Sequence, residues 1–155
     1  MASRQNGNTP MPTGIAYLVG RLHRMLRRRL GEVLSPLGLT VQQYTVLAML
    51  GARGQLSNAQ LADRAFVTPQ TANEMVKAME ANQWIERFPD PNHGRIINLR
   101  LTEQGKAVLV SAHAATAKLE SEMLMGVPSR DRQCFHDQLK SAINALNLTM
   151  IGTHA

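Results

Sequence analysis

The sequence predicts a mainly α chain interrupted by a single β-hairpin, and three observations support this. Apolar residues recur at helical spacing through most of the 155 residues. Helix-capping residues stand where those runs begin. Between Trp84 and Leu101 the period falls to two, around a turn cluster. With 44% apolar residues, 18% charged and 4% aromatic, one core of ordinary size can form without disulfides or metal.

The elements follow in order. Residues 1–12 (MASRQNGNTPMP), rich in Asn, Gly and Pro, read as a disordered arm. From Thr13 to about Ser35 the apolar positions Ile15, Leu18, Val19, Leu22, Leu26, Leu30 and Val33 fall in one arc of a helix. Ser35-Pro36 stops it, and Thr40 caps a second helix from Val41 to about Leu50, with Val41, Tyr44, Leu47 and Ala48 expected inside. Gly51 and Gly54 punctuate the chain. Ser57-Asn-Ala-Gln60 is a capping box that opens a short helix to about Ala65, with Leu61 and Ala62 inside. Thr68-Pro69 then caps a helix to about Gln83, with Ala72, Met75, Val76 and Met79 inward. Two short helices joined tightly form a helix-turn-helix. The runs Trp84–Phe88 and Arg95–Leu101 flank Pro89-Asp-Pro-Asn-His-Gly94 as a two-stranded β wing, with Ile97, Leu99 and Leu101 on one face and Asn98 and Arg100 on the other. Thr102 caps a long helix to about Met125, and Val127-Pro128-Ser129 restarts a last one to about Met150.

Charge narrows the class of partner. The net charge is +6 and the isoelectric point near 10.2, which suits a polyanion. The surplus sits in residues 1–56, where seven arginines (4, 21, 24, 27, 28, 29 and 53) face one acid, Glu32, while the later segments balance. No apolar run approaches the roughly 20 residues of a membrane span. A secretory leader is absent and Cys134 stands alone, so no membrane partner and a cytoplasmic location are expected. The five histidines lack metal-ligand spacing, and no nucleophile–base pair or glycine-rich phosphate loop occurs; no cofactor, no metal and no enzymatic activity are expected.

The segments LSPLGLTVQQYTVLAML (34–50), LSNAQLADRAFVTPQTANEMVKAMEANQWIER (56–87), DPNHGR (90–95) and LRLTEQGKAVL (99–109) resemble the MarR family of bacterial transcription regulators. The resemblance implies a winged helix-turn-helix at 40–101 within a single domain, 13–155. Long N- and C-terminal dimerisation helices, 13–35 and 103–150, would complete it. It also implies an obligate homodimer with a recognition helix in each of two successive major grooves, a wing in the minor groove, and a pocket for phenolic or aromatic acids. Two residue patterns depart from the family. Its wing usually reads D-P-x-D-R-R, whereas His93 and Gly94 stand before Arg95 here. Glu74 also occupies a recognition-helix position that is often basic.

The candidate DNA-binding residues are Asn58, Thr68, Gln70, Thr71, Asn73, Lys77, Arg87 and Arg95. Gln and Asn amides can bond adenine bidentately, Thr offers a hydroxyl and a methyl, and Lys or Arg reaches phosphate. For an effector the candidates are His23 and Arg27, one helical turn apart beside the apolar arc, with Tyr44 closing the site on an aromatic acid. An intersubunit ion pair is the structural alternative for Arg27, and Arg29, placed inside the arc, needs an anion. Dimerisation is expected from apolar residues in excess of one chain's core, notably Leu109, Leu119, Leu124, Phe135, Leu139, Ile143, Leu146 and Leu148. The chain is thus expected to be a ligand-responsive repressor that binds a pseudo-palindromic operator in double-stranded DNA. The alternative is a winged-helix protein–protein interaction module without operator binding, which the neutral wing region would suit.

Overall fold

The computed structural model describes residues 13–65 and 67–151. The expected arm at 1–12 lies outside them. The chain divides into two compact units, one up to Ala115 and one from Thr116 onward.

The first unit opens with α1 (Ile15–Leu34), a 3-10 turn (Ser35–Leu37) and α2 (Val41–Arg53). Thr40 does more than cap α2: its Oγ1 accepts from Gln43 N at 3.1 Å, and Gln43 Oε1 accepts from Thr40 N at 2.9 Å. Both N-terminal donors are satisfied by this reciprocal box. Contrary to the sequence expectation, α2 runs through Gly51 and ends only at Gly54, whose φ of 79° suits glycine. Gly51 serves packing instead, since a Cβ there would meet Leu109 Cδ2 at 2.6 Å. The buried stripe of α2 is Val46, Leu47 and Leu50, with Val41, Tyr44 and Ala48 only half-buried at its margin.

Next come β1 (Leu56–Ser57), α3 (Asn58–Arg64), α4 (Pro69–Ala81), β2 (Ile85–Pro89) and β3 (Ile97–Leu101). The hairpin is joined by an additional short strand: the antiparallel sheet runs β1-β3-β2, with Leu56 opposite Leu99 and Phe88 opposite Asn98. Strand β3 also breaks the expected alternation. Ile97 is 41% exposed, whereas Asn98 is buried at 5% because the wing turn folds over it. Helix α4 ends in a Schellman motif, in which Trp84 N donates to Met79 O (3.0 Å) and Gln83 N to Glu80 O (2.8 Å). Gln83 takes the left-handed φ of 59° that this motif requires.

Helix α5 (Glu103–Met123) starts against this junction. Thr102 caps it, accepting from Gly105 N at 3.0 Å and donating to Gln83 O at 2.5 Å. The core gathers Leu34, Leu47, Leu50, Leu61, Val76, Met79 and Leu99, all at or near zero exposure. Leu109 belongs to this core. It is therefore already covered within one chain, unlike the surplus apolar residue expected from the sequence.

The second unit holds the end of α5 and α6 (Ser129–Ile151). Arg132 closes the turn between them, its guanidinium donating to the Leu124 and Val127 carbonyls at 3.1 Å each. The Leu124 carbonyl, just past the end of α5, accepts from Val127 N at 3.0 Å as well, and a cation there opposes the α5 dipole. Leu119 is buried, while Ile143 (57%) and Leu146 (68%) stay exposed; the side chain of Leu148 lies outside the described residues. Cys134 is exposed on α6.

Candidate nucleic-acid interface

The helix-turn-helix is held by local chemistry. Ser57 Oγ accepts from Gln60 N at 3.2 Å, and Gln60 Oε1 accepts from Ser57 N at 2.9 Å, which fixes the start of α3. Thr68 Oγ1 accepts from Thr71 N at 3.1 Å and lies 2.9 Å from the Thr71 hydroxyl. Thr68 and Thr71 therefore set the first turn of α4. Burial of Ala72, Val76 and Met79 at 0% orients the helix and leaves Gln70, Asn73, Glu74 and Lys77 facing outward. Each large apolar side chain so buried contributes roughly 1.5–3 kcal/mol, enough to hold the outward stripe in register.

Along that stripe, Gln70 Nε2 donates to Glu74 Oε1 at 3.3 Å. Asn58 Nδ2 donates to Asn73 Oδ1 at 3.0 Å, while Asn58 Oδ1 is buried without a partner. The structure thus brings Asn58 to Asn73, a contact between α3 and α4 that sequence spacing does not reveal.

In the wing, Asp90 organises the turn. Its Oδ1 accepts from the backbone N–H groups of Asn92 (2.8 Å) and His93 (3.0 Å), and its Oδ2 accepts from Asn98 Nδ2 at 2.9 Å. These bonds, first that from Asn92 and then that from Asn98, hold the Asp90 carboxyl below its ordinary pKa. The turn is therefore built without the second acid of the usual family wing. Arg95 is exposed at its tip.

Two other cations of this lobe are committed within the chain. Arg87 Nε lies 2.9 Å from both carboxylate oxygens of Glu80, and Arg100 Nε lies 2.6 Å from Glu86 Oε1 with its guanidinium 4.7 Å over the Phe88 ring. Arg64, Lys77 and Arg95 form no ion pair among the described residues.

The effector candidates are less closely grouped. His23 and Arg27 are exposed on α1, and Arg28 and Arg29 meet Glu32 at 3.2 and 3.4 Å. Arg29 thereby has an acid partner within its own helix. Tyr44 lies half-buried, its hydroxyl 3.3 Å from His113 Nδ1 and its ring edge-on to that imidazole at 5.9 Å. His113, on α5, was not among the sequence-derived candidates, because its link to Tyr44 spans 69 residues. It also lines a cleft of about 470 Å³ with an apolar floor that includes Leu50, Leu101 and Leu109 and a rim carrying Arg100 and Lys106.

No group of three His, Cys, Asp or Glu that could hold a metal occurs among the described residues, and no single helix there is long and apolar enough to cross a membrane.

Comparison with known proteins gives a consistent result. A family model described as the MarR family matches residues 39–97. The HTH-type transcriptional repressor Rv2887 of Mycobacterium tuberculosis is 31% identical over 126 residues, covering 81% of this chain and 91% of that protein. Wild-type MarR from Escherichia coli, in its apo form, superposes with a TM-score of 0.75 at 23% identity, covering 85% of this chain and 98% of that one. A mutant of the same protein complexed with operator DNA gives 0.72 at 24% identity, over 83% and 92%.

Proposed function

Because the chain belongs to the MarR family of transcription regulators, we propose that it is a homodimeric repressor of a pseudo-palindromic operator, released by a small aromatic acid. Regulation, not enzymatic catalysis, is what the family does. The observation that carries the operator reading is the exposed stripe Gln70–Asn73–Lys77 on an α4 locked at both ends and followed by a wing with Arg95 at its tip. A relative named a transcriptional repressor at 31% identity supports the sign of regulation. Dimerisation is supported by Ile15 (82% exposed), Leu18 and Val19 (about half exposed) on α1, and by Ile143 and Leu146 on α6. Such residues expose apolar area that a partner chain would cover.

The effector reading rests on Tyr44, His23 and Arg27. An aromatic acid would place its ring on apolar side chains and its carboxylate on a cation, and an arginine fork accepts a carboxylate bidentately. An effector shifts DNA affinity only by preferring one spacing of the two recognition helices.

The decisive experiment selects fragments of the source genome with the purified protein and measures their binding against salt. Retention of one palindromic class, weakening steeply as salt rises, is expected. Retention of no fragment in preference to bulk DNA would remove the operator reading and favour the protein-interaction module. Operator release by salicylate-like acids in wild type and in Arg27→Ala then tests the effector site. Release of the wild type with an equal response in the variant would return Arg27 to a structural role.

A further inference from the structure

A carboxylate stands on the stripe that the operator reading turns toward DNA. Glu74, in the second turn of α4, is exposed between Gln70 and Lys77. The N-terminal residues of a helix seated in the major groove are the ones that reach base edges. A carboxylate there repels the phosphates of every sequence and so lowers affinity overall. What it can give in return is discrimination, since an ionised carboxylate accepts hydrogen bonds and donates none.

Its surroundings leave that capacity open. Glu74 forms no ion pair among the described residues, although Lys77 is a helical neighbour. Gln70 Nε2 donates to Glu74 Oε1 at 3.3 Å. Because the acceptor is a carboxylate, the amide must turn its NH2 group toward it. The bond leaves the second oxygen, Oε2, free for another donor, and no cation neutralises it.

We propose that Glu74 is a specificity-determining residue that selects cytosine in the operator by accepting from the cytosine N4 amino group. The inference rests on the reading of α4 as the major-groove helix. On that edge thymine offers an acceptor and a methyl group, and guanine offers two acceptors, N7 and O6. Neither can donate to a carboxylate. Adenine donates through N6, but this group lies between two acceptors, its own N7 and O4 of the paired thymine. Cytosine N4 has an acceptor on one side only, O6 of the paired guanine, with C5–H on the other. A carboxylate leaning to the C5 side meets the donor without facing a second lone pair. Selection then acts largely by rejecting the other bases, where the repulsion is not offset.

The test is selection from a randomised duplex library with the full-length protein, using wild type, Glu74→Ala and Glu74→Gln, and titration of each with unrelated duplex DNA. The side chain is exposed and outside the core, so both variants should keep the wild-type fold. Glu74→Ala should flatten one position, at which the wild type favours a C·G pair over A·T by on the order of tenfold. It should also tighten binding to unrelated DNA, because an anion has left the interface. Glu74→Gln keeps the shape but adds a donor, so preference there should pass to adenine, whose N7 and N6 suit an amide. A merely structural role would not move one position from one base to another. The donor itself is tested by placing 2-pyrimidinone, which lacks the N4 amino group, at the selected cytosine. Wild type should lose on the order of tenfold in affinity, and Glu74→Ala should lose much less. Equal losses in both proteins, or a wild-type preference for A·T at the flattened position, would overturn the proposal. So would uniformly tighter binding by both variants with every base preference unchanged, which would leave Glu74 with a charge effect alone. If the wild type selected no sequence at all, the operator reading itself would fall, and this inference with it.

Discussion

Replacing Gly105 by alanine gives a test in which two physical effects predict opposite signs. Gly105 is buried in the first turn of α5, and a Cβ there would overlap the Trp84 carbonyl oxygen and lie 2.8 Å from its carbon. Helix propensity alone favours alanine over glycine by about 1 kcal/mol. Packing opposes it, because the obstacle is backbone and cannot rotate away. To relieve the overlap, α5 must lift from the end of α4, which threatens Thr102 N to Trp84 O (3.0 Å) and the Thr102 hydroxyl to Gln83 O. At about 1 kcal/mol per bond, with overpacking of about 1–3 kcal/mol, the net destabilisation is roughly 2–4 kcal/mol. For a chain of this size that lowers Tm by roughly 5–15 °C. Thermal melts followed by circular dichroism at fixed protein concentration measure it, since the stability of any oligomer depends on concentration. Gly51→Ala is the control: there the clash is with the mobile end of Leu109, and a change below about 1 kcal/mol is expected. An unchanged or raised Tm for Gly105→Ala would refute the close packing of α5 on Trp84.

Other consequences are as direct. Arg95→Ala should weaken binding nearly equally for all DNA sequences and reduce the salt slope, whereas Gln70→Ala should change which sequences are preferred; the reverse pattern in a binding titration would invert their roles. Light scattering at micromolar concentration should give about twice the 17.1 kDa chain mass, and a folded monomer would sink the dimer. Because the Asp90 carboxyl titrates below its ordinary value of 3.8, the stability it lends the wing is present above that value and is lost as pH falls through the lower, folded value. The Asn98 side-chain amide, followed by NMR, should therefore shift only below 3.8; a shift centred at or above it would show that Asp90 is not held by its three donors. Gln83→Gly should stabilise the protein by about 1 kcal/mol in chemical denaturation, since glycine enters the left-handed region without a Cβ penalty. A loss of stability would mean that the Gln83 side chain contributes more than its backbone conformation costs.

What was legible in the sequence was local. Thr40, Ser57, Thr68 and Thr102 announced the helix starts because a cap and its partner lie within three residues of each other. The wing was legible because its turn residues and alternation are contiguous. Ile97 and Asn98 were misplaced because alternation assigns faces but does not show that the Asp90 turn will cover the polar one. Gly51 read as a breaker, since its reason for being glycine is Leu109, far along the chain. Among the site residues, Gln70, Asn73 and Lys77 fell where the helical period puts them. The partners of the site were hidden. Asn58 with Asn73, Arg87 with Glu80 and Tyr44 with His113 lie 15, 7 and 69 residues apart, and each pairing depends on how whole elements pack.

Those hidden pairings also bear on how a ligand signal could reach DNA. Arg87 grips Glu80 through both carboxylate oxygens, which ties β2 to the last turn of α4. Trp84 closes α4 through its N–H and receives Thr102 through its carbonyl. Recognition helix, wing and the first turn of α5 therefore meet within Met79–Arg87 and Leu101–Gly105. Bending the wing alone would break the Arg87 pair or the sheet register, and tilting α4 alone would break its Schellman closure. A displacement of the first turns of α5 instead carries α4 and the wing with it. One and two turns further along α5, Leu109 and His113 line the cleft, and His113 meets the Tyr44 hydroxyl. A ligand acting there would thus change where the reading lobe sits rather than its internal shape. Arg87, a phosphate candidate by residue type, is held by Glu80 and adds to that rigidity.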